Sequence, residues 1–98
     1  MIRHVVCIRF RKDVPADATD ALVEALRALP PKIPEIRSYQ VGQDVVQGPN
    51  SADVVLIADF DDLDSLGRYR VHPDHEQVVG EYIRPYLEAI TAADFEVD

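Results

Sequence analysis

Val54-Val55-Leu56-Ile57-Ala58 is the stretch that decides the fold. Because successive side chains of a strand point to opposite faces, five consecutive apolar residues make both faces apolar instead of one apolar and one solvent-exposed. The stretch lies within a predicted strand from Asp53 to Phe60. A strand that is apolar on both faces is typical of a central strand with other elements packed on each side. We therefore expect both faces of this strand to be buried.

Two strands and one helix are predicted before this stretch. The segment from Ile2 to Phe10 combines β-branched and apolar side chains with interleaved arginines, which is typical of a strand. Between Asp17 and Leu29, leucines and alanine recur at helical spacing, and the helix must stop at Pro30-Pro31. The segment from Ile36 to Val46 is predicted as the second strand.

Two helices and a last strand are predicted after Phe60. The acidic residues from Asp61 to Asp64 can cap a helix that continues to Tyr69. Pro73 is expected to open another helix, which Pro85 should kink or end. Apolar and acidic residues alternate from Ala93 to Asp98, as in a strand. The order is then β-α-β-β-α-β, which is the ferredoxin-like α+β arrangement.

This arrangement has a consequence for assembly, because the helices of one chain cover only one face of a four-stranded sheet. An apolar second face needs a partner. Two sheets packed face to face in a homodimer would bury it and form a dimeric α/β barrel with the helices outside. The alternative is a monomer in which only the central strand is apolar on both faces.

The composition predicts one globular domain, residues 1–98, with 47% hydrophobic and 29% charged residues. No apolar run approaches the roughly 20 residues of a membrane span. A net charge of −8 without a cluster of Lys and Arg argues against binding to nucleic acid or to anionic membranes. No secretory leader pattern is recognised, and Cys7 is the only cysteine, so we expect a cytoplasmic protein.

The candidate chemistry lies in Tyr69-Arg70-Val71-His72-Pro73-Asp74-His75. On an uninterrupted helix, Tyr69 and His75 would point about 120° apart. Pro73 disfavours a helical conformation at His72 and fits the first position of a new helix. The chain can therefore turn between Tyr69 and His75 and direct both side chains into one cavity.

His75 is the candidate general base, and Tyr69 is the candidate donor that stabilises an enolate. The competing structural interpretation is a core histidine with a satisfied hydrogen bond beside a core aromatic ring. We also predict that three residues contact a ligand: His72 at the turn, Tyr82 on the helical stripe of His75, and His4 if its side of the first strand faces the helices. The alternative for His4 is a core histidine with a satisfied hydrogen bond. The turn itself gives His72 a structural reason to be present.

No cofactor and no metal ion is predicted. The sequence contains no phosphate-binding glycine loop, dinucleotide fingerprint or serine-nucleophile elbow. The histidines and Asp74 lack the spacing of common zinc ligands, and Cys7 within a strand is expected to act as a small hydrophobic residue.

Four motifs follow one another along the chain: Met1-Ile2-Arg3-His4-Val5-Val6, the segment from Leu26 to Ile36, Tyr39-Gln40-Val41-Gly42, and Tyr69-x-x-His72-Pro73-x-His75. Together they resemble the stress-responsive α/β-barrel domain family, often called Dabb. The likeness covers nearly the whole chain. It implies a ferredoxin-like subunit that dimerises through its sheets.

The chain is also similar to the plant polyketide cyclase branch of that family, in which the tyrosine and the second histidine of the His-Pro motif are catalytic. These groups would correspond to Tyr69 and His75. The branch also has a tyrosine in its first helix, where this sequence has Leu26. The resemblance implies cofactor-free proton abstraction next to the carbonyl of a small apolar compound, as in aldol-type cyclisation or isomerisation.

Two other interpretations lead to different functions. In the first, the chain is a non-enzymatic stress-response protein that acts through a stable dimeric or higher assembly, and Tyr69 and His75 are structural. The second is a monooxygenase of the antibiotic-biosynthesis type, which shares the barrel but has no supporting motif in this sequence.

Overall fold

The computed structural model describes residues 1–98 and contains a four-stranded antiparallel sheet with helices on one face. The strand order in the sheet is β2-β3-β1-β4, which confirms the predicted ferredoxin-like fold. In chain order the elements are β1 (Ile2–Phe10), α1 (Ala18–Arg27), a 3₁₀ turn (Pro30–Lys32), β2 (Ser38–Gln43), β3 (Val54–Phe60), α2 (Leu63–Arg70), α3 (Pro73–Val78), a π-helical turn (Val79–Ile83), a second 3₁₀ turn (Arg84–Tyr86) and β4 (Leu87–Glu96).

Strand β2 is shorter than the predicted segment from Ile36 to Val46. It pairs with β3 only from Ser38 to Gln43, because β3 begins at Val54, the partner of Gln43. Beyond that pair there is no strand to hold the chain, and the side chains of Val45 and Val46 are 91% and 76% exposed. Their β-branched side chains are typical of a strand, but they lie beyond the end of β3 and have no neighbouring strand to pair with.

Strand β4 is longer than the predicted segment from Ala93 to Asp98. It begins at Leu87 and pairs with β1 along its whole length, down to the pair between Ile2 and Glu96. Because β4 lies at the edge of the sheet and is exposed along most of its length, its first half is not required to alternate between apolar and polar residues.

The helix predicted from Pro73 to Pro85 is divided into three short segments. After α3 the chain widens into the π-helical turn and then tightens into the second 3₁₀ turn. The ring of Pro85 would clash with the carbonyl of Glu81 in a regular α-helix. The wider turn removes that clash, and the Arg84 N–H bonds to the Val79 carbonyl five residues earlier.

The two faces of the sheet differ in their surroundings within one chain. The inner face packs against the helices and carries the alternate buried residues of β1 and β3, among them Ile8, Val54, Leu56 and Phe60. On the outer face, Val5, Cys7, Val55 and Ile57 are only partly buried. None of the helices is both long and apolar enough to cross a membrane.

Candidate functional site

A cavity of about 350 Å³ lies between the inner face of the sheet and the helices. Fourteen residues line it, and ten of them are hydrophobic. The hydrophobic lining comes from β1, β3, β4, α1, α2 and the helical segment after Pro73. Its four polar lining residues are His4, Arg70, His75 and Arg84. An apolar cavity with a few polar groups is typical of a small-molecule site.

Tyr69 and His75 meet at the wall of this cavity, as the turn at Pro73 predicts. The two ring centroids are 4.3 Å apart, with an angle of 48° between the planes. Helix α2 ends at Arg70, and His72 adopts an extended conformation with φ −63° and ψ 134°. Pro73 then occupies the first turn of α3, so the predicted break between the two side chains is confirmed.

The ring of His75 is held by the backbone. Its Nδ1 lies 3.1 Å from the carbonyl oxygen of Arg70. Because a carbonyl can only accept, Nδ1 carries the hydrogen and Nε2 keeps its lone pair. Burial lowers the pKa of His75 below its usual range, and this effect exceeds the opposing effect of the bond to Arg70. The resulting neutral imidazole has a basic Nε2.

The hydroxyl of Tyr69 is engaged by a second tyrosine. Tyr69 is fully buried, and its oxygen lies 2.7 Å from the oxygen of Tyr39. Burial raises the pKa of Tyr69 to about 12 and also raises the pKa of Tyr39. Both phenols therefore stay neutral near pH 7, and one of them donates to the other. The hydroxyl of Tyr69 thus has the partner that a buried phenol requires.

His4 also lies beside Tyr69 and belongs to a three-residue network. Its Nδ1 is 2.5 Å from Oδ1 of Asp94, and Oδ2 of Asp94 accepts a hydrogen bond from Arg70 at 3.1 Å. His4 and Asp94 are direct partners in the pairing of β1 with β4, so their side chains leave the sheet on the same face. Arg70 reaches the carboxylate from the end of α2.

The free nitrogen of His4 faces the cavity. His4 forms a hydrogen bond through Nδ1 alone, so its Nε2 has no hydrogen-bond partner. Every fully buried side-chain nitrogen and oxygen in the chain has such a partner, so Nε2 is not fully buried. Nε2 therefore keeps access to the space that His4 lines. The ring centroid of His4 is 6.2 Å from that of Tyr69, so the rings of His4 and His75 both lie near Tyr69.

The structure does not bring all of the predicted site residues together. Tyr69, His75 and His4 line the cavity, whereas His72 and Tyr82 do not. The Nδ1 of His72 accepts the backbone N–H of Asp74 at 3.1 Å and so caps α3. Tyr82 packs against the hydrophobic core from the π-helical turn.

Sequence reasoning missed three polar residues of the site: Asp94, Arg70 and Arg84. In the sequence, Asp94 is one of several acidic residues that alternate near the end of the chain. Only the register of β4 against β1 distinguishes it from its neighbours. Leu26 also lines the cavity.

A metal site does not emerge from the geometry. Nowhere in the chain do three His, Cys, Asp or Glu side chains approach closely enough to hold an ion together. His4 and Asp94 are near one another, but the third polar partner in their network is the guanidinium of Arg70.

Comparison with known proteins adds a family and several relatives. The model of the family described as "Stress responsive A/B Barrel Domain" matches residues 2–97. An uncharacterized protein of Streptomyces coelicolor is 35% identical over 78 residues, which covers 78% of this chain and 80% of that protein.

Two crystal structures of bacterial proteins are similar over nearly the whole chain. A dimeric protein of unknown function with a ferredoxin-like fold from Bacteroides fragilis has 31% identity and a TM-score of 0.89, and the match covers 98% of this chain and 95% of that one. A dimeric ferredoxin-like protein of unknown function from Thermobifida fusca has 32% identity and a TM-score of 0.87, with 98% and 90% covered.

Proposed function

The chain belongs to the stress-responsive A/B barrel domain family, and from the chemistry of its cavity we propose that it binds a small apolar carbonyl compound and removes a proton next to the carbonyl. His75 is the base in this proposal. One observation carries it: the Nδ1–H of His75 is bonded to the Arg70 carbonyl while the ring lies tilted against Tyr69 at the cavity wall. This leaves a neutral imidazole with a lone pair available for a substrate.

The neutral state of His75 matters for the reaction. A general base must be unprotonated before the substrate binds and must tolerate the proton that it receives. The lowered pKa of His75 meets the first condition. The Arg70 carbonyl meets the second, because it accepts from Nδ1–H in the neutral ring and in the imidazolium.

The enolate that forms needs a hydrogen-bond donor for its oxygen. In our proposal Tyr39 donates to Tyr69, and the proton of Tyr69 is then free for the substrate oxygen. Because Tyr69 is fully buried in the absence of a ligand, this step requires a small displacement of the cavity wall. His4 is the second polar contact, with Nε2 directed to the same space.

We further infer that two chains associate through the outer face of the sheet. That face carries an apolar surface with Phe95 48% exposed at its edge. The charges beside it are neutralised, since Arg3 bonds to Asp59 at 2.9 Å. The relatives from B. fragilis and T. fusca are described as dimeric. A monomer would leave this apolar surface in water.

The second candidate function is a stress-response protein without catalytic activity. The observation that favours it is the hydroxyl bond between Tyr39 and Tyr69, which satisfies the phenol within the core. In this case the rings of Tyr69 and His75 stabilise the fold, and His75→Asn changes stability without affecting any turnover.

The test is exchange of the protons next to the carbonyl of 2-octanone in D₂O, followed by NMR. We expect the protein to accelerate exchange and His75→Asn to reduce the acceleration by about 10²-fold or more. Tyr69→Phe should reduce it by about 10²-fold through loss of the enolate donor. Lys32→Gln, which changes an exposed residue away from the cavity, is the control and should behave like the unaltered protein.

Two outcomes would contradict the proposal. The first is 2-octanone that binds, as shown by shifts in the His75 ring resonances, without any accelerated exchange. The second is full activity in His75→Asn. The first result would support the non-enzymatic candidate, whereas the second would assign the proton exchange to a group other than His75.

A further inference from the structure

We propose that the cavity takes an amphipathic monoanion, an apolar carboxylic acid that also carries the ketone carbonyl of the proposed reaction. Its carboxylate binds Arg84 at the mouth while its apolar body enters between sheet and helices. The proposal rests on the proposed function, because it names the substrate class of the same site. It adds a binding residue outside the group of Tyr69, His75 and His4.

The π-helical turn places Arg84 at the cavity. In a regular α-helix, residues five apart point about 140° away from each other, so Arg84 would not share a face with Val79. Here the Arg84 N–H bonds to the Val79 carbonyl, which sets the two residues one turn apart. Both then line the cavity. Single π-helical turns are frequent at functional sites.

Arg84 is the cation of the cavity that remains without a partner. The other arginine, Arg70, is paired with Asp94 at 3.1 Å. No carboxylate lies within ion-pair distance of Arg84, whose side chain is exposed. Glu76 lines a neighbouring pocket together with Arg84, but the two form no ion pair.

The surroundings select a monoanion over a more highly charged group. The whole chain carries a net charge of −8, and Glu76 stands near the mouth, so a phosphate with two negative charges would be repelled. One unpaired guanidinium matches one carboxylate, which it can bind through two parallel hydrogen bonds. The ten hydrophobic lining residues require that the rest of the ligand be apolar.

The experiment compares octanoate with 1-octanol, which has the same chain without the charge. Binding is followed by NMR shifts of the His75 ring and by titration calorimetry. We expect octanoate to bind more tightly than 1-octanol by roughly five-fold, the scale of one partly exposed ion pair. Arg84→Gln should remove that preference and leave 1-octanol unaffected. Raising the salt concentration should weaken octanoate alone.

Lys32→Gln is the matched control, since it removes the same charge from an exposed residue that does not line the cavity. It should keep the preference for octanoate. Equal binding of octanoate and 1-octanol, or an unchanged preference in Arg84→Gln, would overturn the inference. So would failure of octanoate to shift the His75 resonances at all.

The two proposals can fail separately, because these probes report binding and not turnover. A preference for octanoate that depends on Arg84, combined with no proton exchange in 2-octanone, would support the ligand class and refute the proposed reaction. Proton exchange in 2-octanone without any preference for octanoate would do the reverse.

Discussion

Replacing Asp94 by alanine tests the network that holds His4 against the cavity. The change removes the acceptor of the His4 Nδ1 and the partner of Arg70 at the same time. Because His4 lies in the sheet and Asp94 directly opposite it, no other side chain takes over the bond. We therefore expect the loss to appear mainly as an unsatisfied buried donor.

The magnitude follows from the exposure of the two partners. The side chain of His4 is only 8% exposed, and an unsatisfied buried donor costs about 1–3 kcal/mol. The side chain of Arg70 is 52% exposed, so its ion pair contributes at most about 1 kcal/mol. We expect Asp94→Ala to lower the free energy of unfolding by about 2–3 kcal/mol.

Urea unfolding followed by circular dichroism measures this change, at one fixed protein concentration because association would add to the apparent stability. With a urea slope of about 1.5 kcal/mol/M, the midpoint should fall by roughly 1–2 M. Arg70→Gln is the control: it removes only the exposed pair and should cost less than about 1 kcal/mol.

A double-mutant cycle isolates the contribution of the His4 bond. In a His4→Phe background there is no buried donor to leave unpaired, so Asp94→Ala should cost about 1–2 kcal/mol less than in the unaltered chain. The reasoning is refuted if Asp94→Ala is no more harmful than Arg70→Gln, or if the His4→Phe background does not reduce its cost.

Three further predictions concern the turn, the base and the assembly. Pro73→Ala lets α2 continue toward His75 and should lower the free energy of unfolding by about 0.4–1 kcal/mol. It should also abolish the ring-current shift that Tyr69 imposes on the NMR resonances of His75. A retained shift would contradict the role of the proline. The ring of His75 should titrate by NMR with a pKa below the usual value of about 6.5. Because folding favours the neutral form, the contribution of His75 to the free energy of unfolding is complete above about pH 6.5. It declines as the pH falls below that value and stops declining below the folded-state pKa. A titration at or above the usual value would count against the buried environment. Ile57→Glu on the outer face of the sheet should convert a dimer into a monomer in analytical ultracentrifugation, whereas Val45→Glu in an exposed loop should not; a dimer that survives Ile57→Glu would place the interface elsewhere.

The features that the sequence predicts correctly depend on local rules. Pro73 constrains the residue before it and opens a helix whatever the rest of the chain does, so the turn between Tyr69 and His75 follows from the sequence. The order of strands and helices follows from periodicity in the same way. Asp62 caps α2 through a hydrogen bond to the N–H of Ser65, within the acidic segment predicted for that purpose.

The features that could not be predicted depend on contacts between segments that are far apart in the sequence. His4 and Asp94 lie at opposite ends of the chain, and only the register of β1 with β4 makes them partners. The bond between Tyr39 and Tyr69 likewise requires β2 and α2 to be in place. A one-residue shift of a strand would move such a side chain to the other face, so no local pattern could reveal these contacts.

The two histidines of the cavity are held by different kinds of hydrogen-bond acceptor, and this difference makes it possible to distinguish a structural role from a chemical one. Both use Nδ1 for a structural hydrogen bond and leave Nε2 without one. The acceptor for His4 is the side chain of Asp94, which a substitution can remove. The acceptor for His75 is the backbone carbonyl of Arg70, which remains after any change of that side chain. Arg70→Gln should therefore keep the orientation of His75, so a loss of proton exchange in His75→Asn but not in Arg70→Gln would point to the imidazole itself.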